Sequence, residues 1–167
     1  MSVVPNGRID RDAEGRPTLV ITRKFSAPIE DVWASVTEPT RLERWIGTFT
    51  GDPSSGSVMF AMTAEGDGPA EEMEIVECDA PRLLAVTART PGGQWHLKVA
   101  LAEVDGGTLL TFTQPELDPA EAESVGPGWE FYLDRLVAAE TGGNVAAIDF
   151  ERDYYPAMLE YYRAALG

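Results

Sequence analysis

The chain changes from strand-like to helix-like periodicity part-way along its length, and this change limits the folds that it can adopt. Between Gly56 and Gln114, apolar residues tend to recur at every second position. In residues 94–103 the alternating apolar set is Trp95, Leu97, Val99 and Leu101. Such alternation predicts antiparallel strands with one buried and one solvated face. Beyond it the spacing becomes helical, which predicts a long amphipathic helix that covers the buried face of the sheet. The stripe of this helix is Trp129, Tyr132, Leu133, Leu136 and Val137.

Turn residues divide the alternating region into five strands. The predicted strands are residues 58–62, 72–77, 83–89, 94–103 and 108–114, separated by turn clusters at 66–69, 79–81, 91–93 and 105–107. A further strand at residues 18–22 is rich in β-branched side chains. Two short helices follow it, because Pro28 suits the first turn of one and residues 40–45 form the other. Strands grouped together, with helices segregated from them, indicate an α+β fold with a sheet of about six strands.

The two ends of the chain carry weaker signals. Residues 1–17 are polar and are predicted to form an arm, and residues 115–127 are predicted to be irregular. The long helix is expected around residues 129–139 and should stop before Gly142-Gly143. A last amphipathic helix is predicted over residues 153–165, with Asp153 as its N-cap and Pro156 in its first turn.

Charge and residue counts exclude several classes of function. The chain of 167 residues has 28 acidic and 13 basic side chains, for a formal net charge of −15. Nucleic acids and anionic membranes select basic proteins, so neither is an expected partner. Cys78 is the only cysteine and His96 the only histidine, so no disulfide, metal centre or cofactor is expected. The sequence has no signal-peptide pattern and no apolar run long enough for membrane insertion, which favours a cytoplasmic protein.

Five short motifs occur in an order that resembles a known family. They are Pro28-x-x-x-Val32-Trp33, Pro39-x-x-Leu42-x-x-Trp45, Pro81-x-x-Leu84, Gly107-Thr108-x-Leu110-x-Phe112 and Gly128-Trp129-x-x-x-Leu133-x-x-Leu136. Together they resemble the activator-of-heat-shock-ATPase-homologue-like domains of the START-like superfamily. The resemblance implies a helix-grip fold, in which a curved antiparallel sheet wraps around a long C-terminal helix and encloses an apolar pocket. It also suggests the domain limits: an arm at 1–17, the helix-grip domain at 18–141, and an extension at 142–167 whose short amphipathic helix packs on the domain.

Large side chains on the predicted sheet and helix form a candidate ligand pocket. The candidate lining is Trp45, Phe60, Met62, Met73, Trp95, Phe112, Gln114, Trp129, Tyr132, Leu133 and Leu136. Each residue alone is more often part of an ordinary core, whereas aromatic residues concentrated on facing elements are typical of a ligand cavity. Trp45 is interpreted either as a lid or as a clamp that packs a loop on the sheet. Gln114 would be a buried amide on an apolar face, so water, Tyr132 or the ligand should hydrogen-bond to it.

Charged side chains in the same region are interpreted as surface groups. If Met73 and Ile75 face inward, the alternation turns Glu72 and Glu74 toward water. Arg89 could contact a carboxylate or carbonyl group of a ligand, although pairing with a surface acid is the commoner outcome. No catalytic residue is therefore assigned.

Three functions are consistent with this pattern. The leading hypothesis is a domain that binds a small hydrophobic or aromatic ligand in an internal cavity. The first alternative is a cyclase- or dehydratase-like enzyme that uses the same cavity mainly to orient a reactive chain. The second alternative is a co-chaperone-like module that engages a chaperone partner, and a homodimer is a further hypothesis.

Overall fold

One antiparallel sheet of eight strands dominates the computed structural model, which describes residues 4–63, 69–90 and 93–166. The strands are β1 (Arg8–Arg11), β2 (Pro17–Phe25), β3 (Gly47–Thr50), β4 (Ser57–Met62), β5 (Glu71–Asp79), β6 (Leu83–Thr90), β7 (Gly93–Val104) and β8 (Gly107–Gln114). Their order across the sheet is β1-β2-β8-β7-β6-β5-β4-β3. The chain therefore runs as a meander from β3 to β8, and β8 then pairs with the earlier β1–β2 hairpin.

The described part of the chain has five α-helices, and none of them interrupts the meander from β3 to β8. They are α1 (Ile29–Thr37), α2 (Pro39–Leu42), α3 (Ala122–Thr141), α4 (Phe150–Asp153) and α5 (Leu159–Leu166). Helix α3 contacts β2, α1 and α5, and α5 also contacts β1. The core forms where α3 meets the inner face of the sheet. Its most buried members include Leu19, Ile21, Leu110, Leu133 and Leu136.

The predicted α+β architecture, with one antiparallel sheet and a long helix after it, is confirmed. The predicted number of about six strands is wrong, because the structure adds β1 and β3. Strand β1 has the sequence RIDR and is a largely exposed edge, so it has no apolar alternation that could reveal it. Strand β3 has only four residues and pairs with β4 alone, which makes its sequence signal equally short.

Helix α3 begins at Ala122, so the prediction of irregular structure through residue 127 is wrong for its second half. Gly126, Pro127 and Gly128 disfavour a helix locally. The segment is nevertheless helical, and a Cβ atom at Gly126 would lie 2.6 Å from the ring of Tyr162 in α5. The absence of a side chain at Gly126 thus allows α5 to pack directly on α3.

The single C-terminal helix predicted over residues 153–165 is also wrong. The structure has α4 and α5 on either side of Pro156, and proline cannot supply the N–H group that a continuous helix needs. Asp153, the predicted N-cap of that helix, is instead the last residue of α4, whose N-cap is Asp149 with a carboxylate that accepts a hydrogen bond from Arg152 N. Of the turns predicted at 66–69 and 91–93, residues 66–68 and 91–92 lie outside the described residues. The domain limits at residues 17 and 141 stay a prediction.

Strand β5 contains a bulge that the alternation alone does not show. The register with β6 shifts between Ile75 and Glu77, and Val76 is 61% exposed. Because a bulge inserts one residue, it changes which positions face inward. Met73 and Ile75 therefore line the inner face before the bulge, and Cys78 lines it after the bulge.

Candidate functional site

A cavity of about 580 Å³ lies between the inner face of the sheet and α3. Its walls come from inward positions of β4 to β8, from α1 and α2, and from one side of α3. The strand residues on the wall include Val58, Phe60, Met73, Ile75, Val86, Ala88, Trp95, Leu97, Val99, Leu110 and Phe112. Helix α3 contributes Trp129, Leu133 and Leu136. The cavity exists because these side chains do not fill the space between one helix and a sheet of this width.

The structure brings most of the predicted site residues to this wall. They are Trp45, Phe60, Met62, Met73, Trp95, Phe112, Trp129, Leu133 and Leu136. Gln114 and Tyr132 lie outside the lining and are buried beside it. The contact of any of these residues with a ligand stays a prediction.

Gln114 is hydrogen-bonded to Trp129, a residue of the cavity wall. Its side chain is 2% exposed, and Trp129 Nε1 donates a hydrogen bond to Gln114 Oε1 at 2.8 Å. The Trp129 ring also packs on Phe112, with ring centroids 4.4 Å apart. The partner of Gln114 is therefore a wall residue, which the sequence analysis did not include among the candidates for that role.

Trp45 is hydrogen-bonded to two helices, and the choice between a lid and a clamp that packs a loop on the sheet stays a prediction. Its indole Nε1 donates to the carbonyl oxygen of Ser35 in α1 at 2.9 Å. Its own carbonyl oxygen accepts a hydrogen bond from Arg135 Nε of α3, also at 2.9 Å. The residue is buried, lines the cavity and joins α1 to α3 at once.

Arg89, which lines the cavity together with Glu72, pairs with half-exposed acidic side chains. Its Nε atom lies 3.0 Å from Glu72 Oε1, and its guanidinium reaches Glu74 Oε2 at 4.0 Å. All three side chains are about half exposed, with relative side-chain accessibilities of 50–53%. Within the described residues, no group of three or more His, Cys, Asp or Glu side chains is arranged to hold a metal ion.

A buried charge cluster on the opposite side of α3 was missed by the sequence analysis. Glu130 is 0% exposed, and its Oε2 atom accepts hydrogen bonds from the backbone N–H groups of Asn6 and Gly7 at 2.8 and 3.0 Å. Tyr162 Oη donates to the same oxygen at 2.6 Å, and Arg23 Nη2 lies 2.7 Å from Glu130 Oε1. One carboxylate therefore joins the N-terminal segment, β2, α3 and α5. The sequence signal was weak, because nothing in the local sequence distinguishes Glu130 from an exposed acidic residue.

Asp134 extends the cluster by one helical turn. It accepts hydrogen bonds from Arg23 Nε at 2.9 Å and from Tyr154 Oη at 2.6 Å. The pKa of Tyr162 is raised mainly by burial and secondly by the Glu130 carboxylate. The pKa of Tyr154 is raised mainly by burial and secondly by its hydrogen bond to Asp134. Burial lowers the pKa of Arg23, but Asp134 and Glu130 outweigh it and the pKa is raised overall. The cluster thus holds its arginine charged and its tyrosines protonated.

An antiparallel sheet with a long helix across it and an apolar cavity between them defines a helix-grip domain of the START-like superfamily. Residues 26–140 match the family described as Activator of Hsp90 ATPase homolog 1-like protein, and the chain belongs to this family. No protein with a curated description matches the sequence significantly.

Solved structures share the fold over 77–99% of the chain. CalU16 from Micromonospora echinospora superposes with a TM-score of 0.72 at 24% identity, covering 99% of each chain. A conserved protein of unknown function from Enterococcus faecalis, EF2215, gives a TM-score of 0.71 at 21% identity, covering 96% of this chain and 90% of its own. DynU16, a putative protein in the dynemicin biosynthetic locus, gives 0.66 at 22% identity, covering 77% of this chain and 49% of its own. In the ranges 4–63, 69–90 and 93–166, no helix has the length and apolar character to cross a membrane.

Proposed function

We propose that this protein binds a small hydrophobic or aromatic molecule in the cavity between the sheet and α3. The observation that carries the proposal is the cavity itself, with its volume of about 580 Å³ and its aliphatic and aromatic wall. Binding sites for small molecules have volumes of about 300–1,000 Å³ and are lined mainly by such side chains. The cavity is therefore the right size and chemistry for one ligand.

The hydrophobic effect would be the main driving force for such binding. A ligand that removes about 300 Å² of apolar surface from water gains about 7 kcal/mol before the cost of association is subtracted. The aromatic residues on the wall, Phe60, Trp95, Phe112 and Trp129, favour a ligand with a ring system. Among the relatives in fold, DynU16 comes from a biosynthetic locus. A product or intermediate of secondary metabolism is thus one class of ligand to test.

The proposal is tested with Nile red, a neutral dye whose fluorescence rises in apolar surroundings. We expect it to bind the folded protein with one-to-one stoichiometry and to be displaced by compounds that enter the cavity. Trp129→Ala should weaken dye binding, because it removes an aromatic side chain from the cavity wall. The measurement is made at a temperature where the variant stays folded.

Phe150→Ala is the matched control for Trp129→Ala. Phe150 also packs in an aromatic cluster, with its ring centroid 5.4 Å from that of Phe131, but it does not line the cavity. Its removal should cost stability and leave the dye affinity unchanged. Dye binding that is absent in the wild type, or equally weakened in both variants, would contradict the proposal.

A cyclase- or dehydratase-like enzyme is the second candidate, favoured by the biosynthetic locus of DynU16. Native mass spectrometry of the purified protein distinguishes the two functions. A retained compound that is recovered unchanged after incubation supports binding, whereas its conversion supports catalysis. A homodimer and a chaperone partner stay predictions, and sedimentation analysis with and without a purified chaperone tests them.

A further inference from the structure

The deep wall of the cavity has hydrogen-bonding groups that are already paired within the protein. Trp129 Nε1 donates to Gln114, Trp45 Nε1 donates to Ser35 O, and Thr37 Oγ1 donates to Trp33 O. In the described part of the chain, the only buried side-chain nitrogen or oxygen without a partner is Arg41 Nε, and Arg41 does not line the cavity. A polar atom placed deep in this cavity would therefore lose its hydrogen bonds to water without replacement.

Glu71 is a charged residue on the same face as this apolar wall. It is the first residue of β5 and stands directly opposite Phe60 in the pairing of β4 with β5. Directly opposed residues of an antiparallel pair share one face of the sheet, and Phe60 and Glu71 both line the cavity. Glu71 is partly exposed, so it places a carboxylate where the cavity meets solvent.

Arg89, the basic residue of the lining, does not neutralise the negative charge of Glu71. Ala88 opposes Trp95 on the inner face, so the alternation directs the next residue, Arg89, toward the other face, although Arg89 and its partner Glu72 both belong to the cavity lining. The guanidinium is held by Glu72 at 3.0 Å and lies 4.0 Å from Glu74. An acidic ligand would have to break that ion pair and also approach Glu71, in a protein whose formal net charge is −15.

We propose that the ligand is an apolar amine, with its hydrocarbon or aromatic body in the cavity and its ammonium group against Glu71. This inference rests on the proposed function and names the chemical class that the same site selects. Glu71 supplies the specificity, because its carboxylate attracts a cation and accepts hydrogen bonds from an N–H donor. Acidic amphiphiles of the same size bind more weakly, since their carboxylates meet a like charge at the opening.

The experiment compares three compounds of equal chain length as competitors of Nile red. Decylamine, decanol and decanoate are titrated at pH 7 and low ionic strength, below the concentrations at which they aggregate. We expect decylamine to bind most tightly and decanoate least, with about fivefold or more between the amine and the alcohol. Added salt should reduce these differences, because the head groups lie near solvent.

Glu71→Gln is the test variant and Glu74→Gln the matched control, because both remove one negative charge from the same strand. We expect Glu71→Gln to bring the three affinities together, whereas Glu74→Gln keeps their order. Equal affinities in the wild type, or an order that survives in Glu71→Gln, would overturn the inference while leaving the proposed function standing. Failure of Nile red itself to bind would instead overturn the proposed function and the inference with it.

Discussion

The two sides of α3 pack against the rest of the protein in different ways. Toward β4–β8 the helix presents Trp129, Leu133 and Leu136, and an unfilled cavity remains in front of them. Toward β2 and α5 it presents Glu130 and Asp134, and every oxygen of these two carboxylates accepts at least one hydrogen bond. One side is apolar and incompletely filled, whereas the other is polar and closely packed.

The difference shows how a helix can be held in place without a filled core on its ligand side. A cavity lowers stability, because its lining atoms lack contact partners. The polar side positions α3 through directional bonds to four segments of the chain, so the ligand side need not do so. We interpret the Glu130 cluster as the anchor of α3, and the variants below test that interpretation against the cavity side.

The largest effect is expected from Glu130→Ala. It leaves two backbone N–H groups, the Tyr162 hydroxyl and part of the Arg23 charge without their partner. Removing one member of a buried ion pair costs about 3–5 kcal/mol, which denaturant unfolding would measure. Glu123→Ala, which breaks the exposed pair with Arg163, should cost less than about 1 kcal/mol. Similar losses in both variants would contradict the anchor interpretation.

The next largest difference between the two sides is expected when a small residue on each side is enlarged. Gly126→Ala places a Cβ 2.6 Å from the Tyr162 ring, and such overpacking costs about 1–3 kcal/mol. The better helix propensity of alanine, about 1 kcal/mol, offsets part of this cost. Ala88→Val enlarges a residue of the cavity wall, so it should change stability little and weaken Nile red binding. A destabilised Ala88→Val with unchanged dye binding would show that the space is not available to a ligand.

Alkaline pH should weaken the polar side specifically. The pKa of Tyr162 is raised in the folded protein, so the stability from its protonated hydroxyl is fully present below the unfolded pKa of about 10. That contribution is lost as pH rises beyond this value, at up to about 1.4 kcal/mol per pH unit for this tyrosine. Tyr162→Phe should have a shallower decline than the wild type in unfolding experiments above pH 10. A decline in Tyr162→Phe that is as steep as in the wild type would contradict this role of the Tyr162 hydroxyl.

The smallest effect is expected from Gln114→Leu. The change removes the acceptor of Trp129 Nε1 and should cost about 1 kcal/mol of stability, with nearly unchanged Nile red affinity. Thr113→Val, on the opposite face of β8, is the control for the strand itself. A large loss of affinity at constant stability would instead place the Gln114 amide in contact with the ligand.

The sequence determined the parts of the fold that depend on local periodicity. Alternation in residues 94–103 and helical spacing from Trp129 onward suffice to predict β7 and the second half of α3, because strands and helices repeat at different intervals. The same periodicity identified most of the cavity wall, since inward positions of a strand share one face. The family motifs between Pro28 and Leu136 supplied the helix-grip arrangement of these elements.

Tertiary structure alone decided the features that depend on partners far away in the sequence. Glu130 meets Arg23 across 107 positions and Asn6 across 124, so no local pattern separates it from an exposed acid. Residues 122–128 are helical despite a local preference against a helix, and Gly126 in this stretch packs against Tyr162, 36 positions further along the chain. The edge strands β1 and β3 form because a neighbouring strand supplies their hydrogen bonds. The cavity, too, is a property of spacing between elements, and side-chain identities along one chain do not specify that spacing.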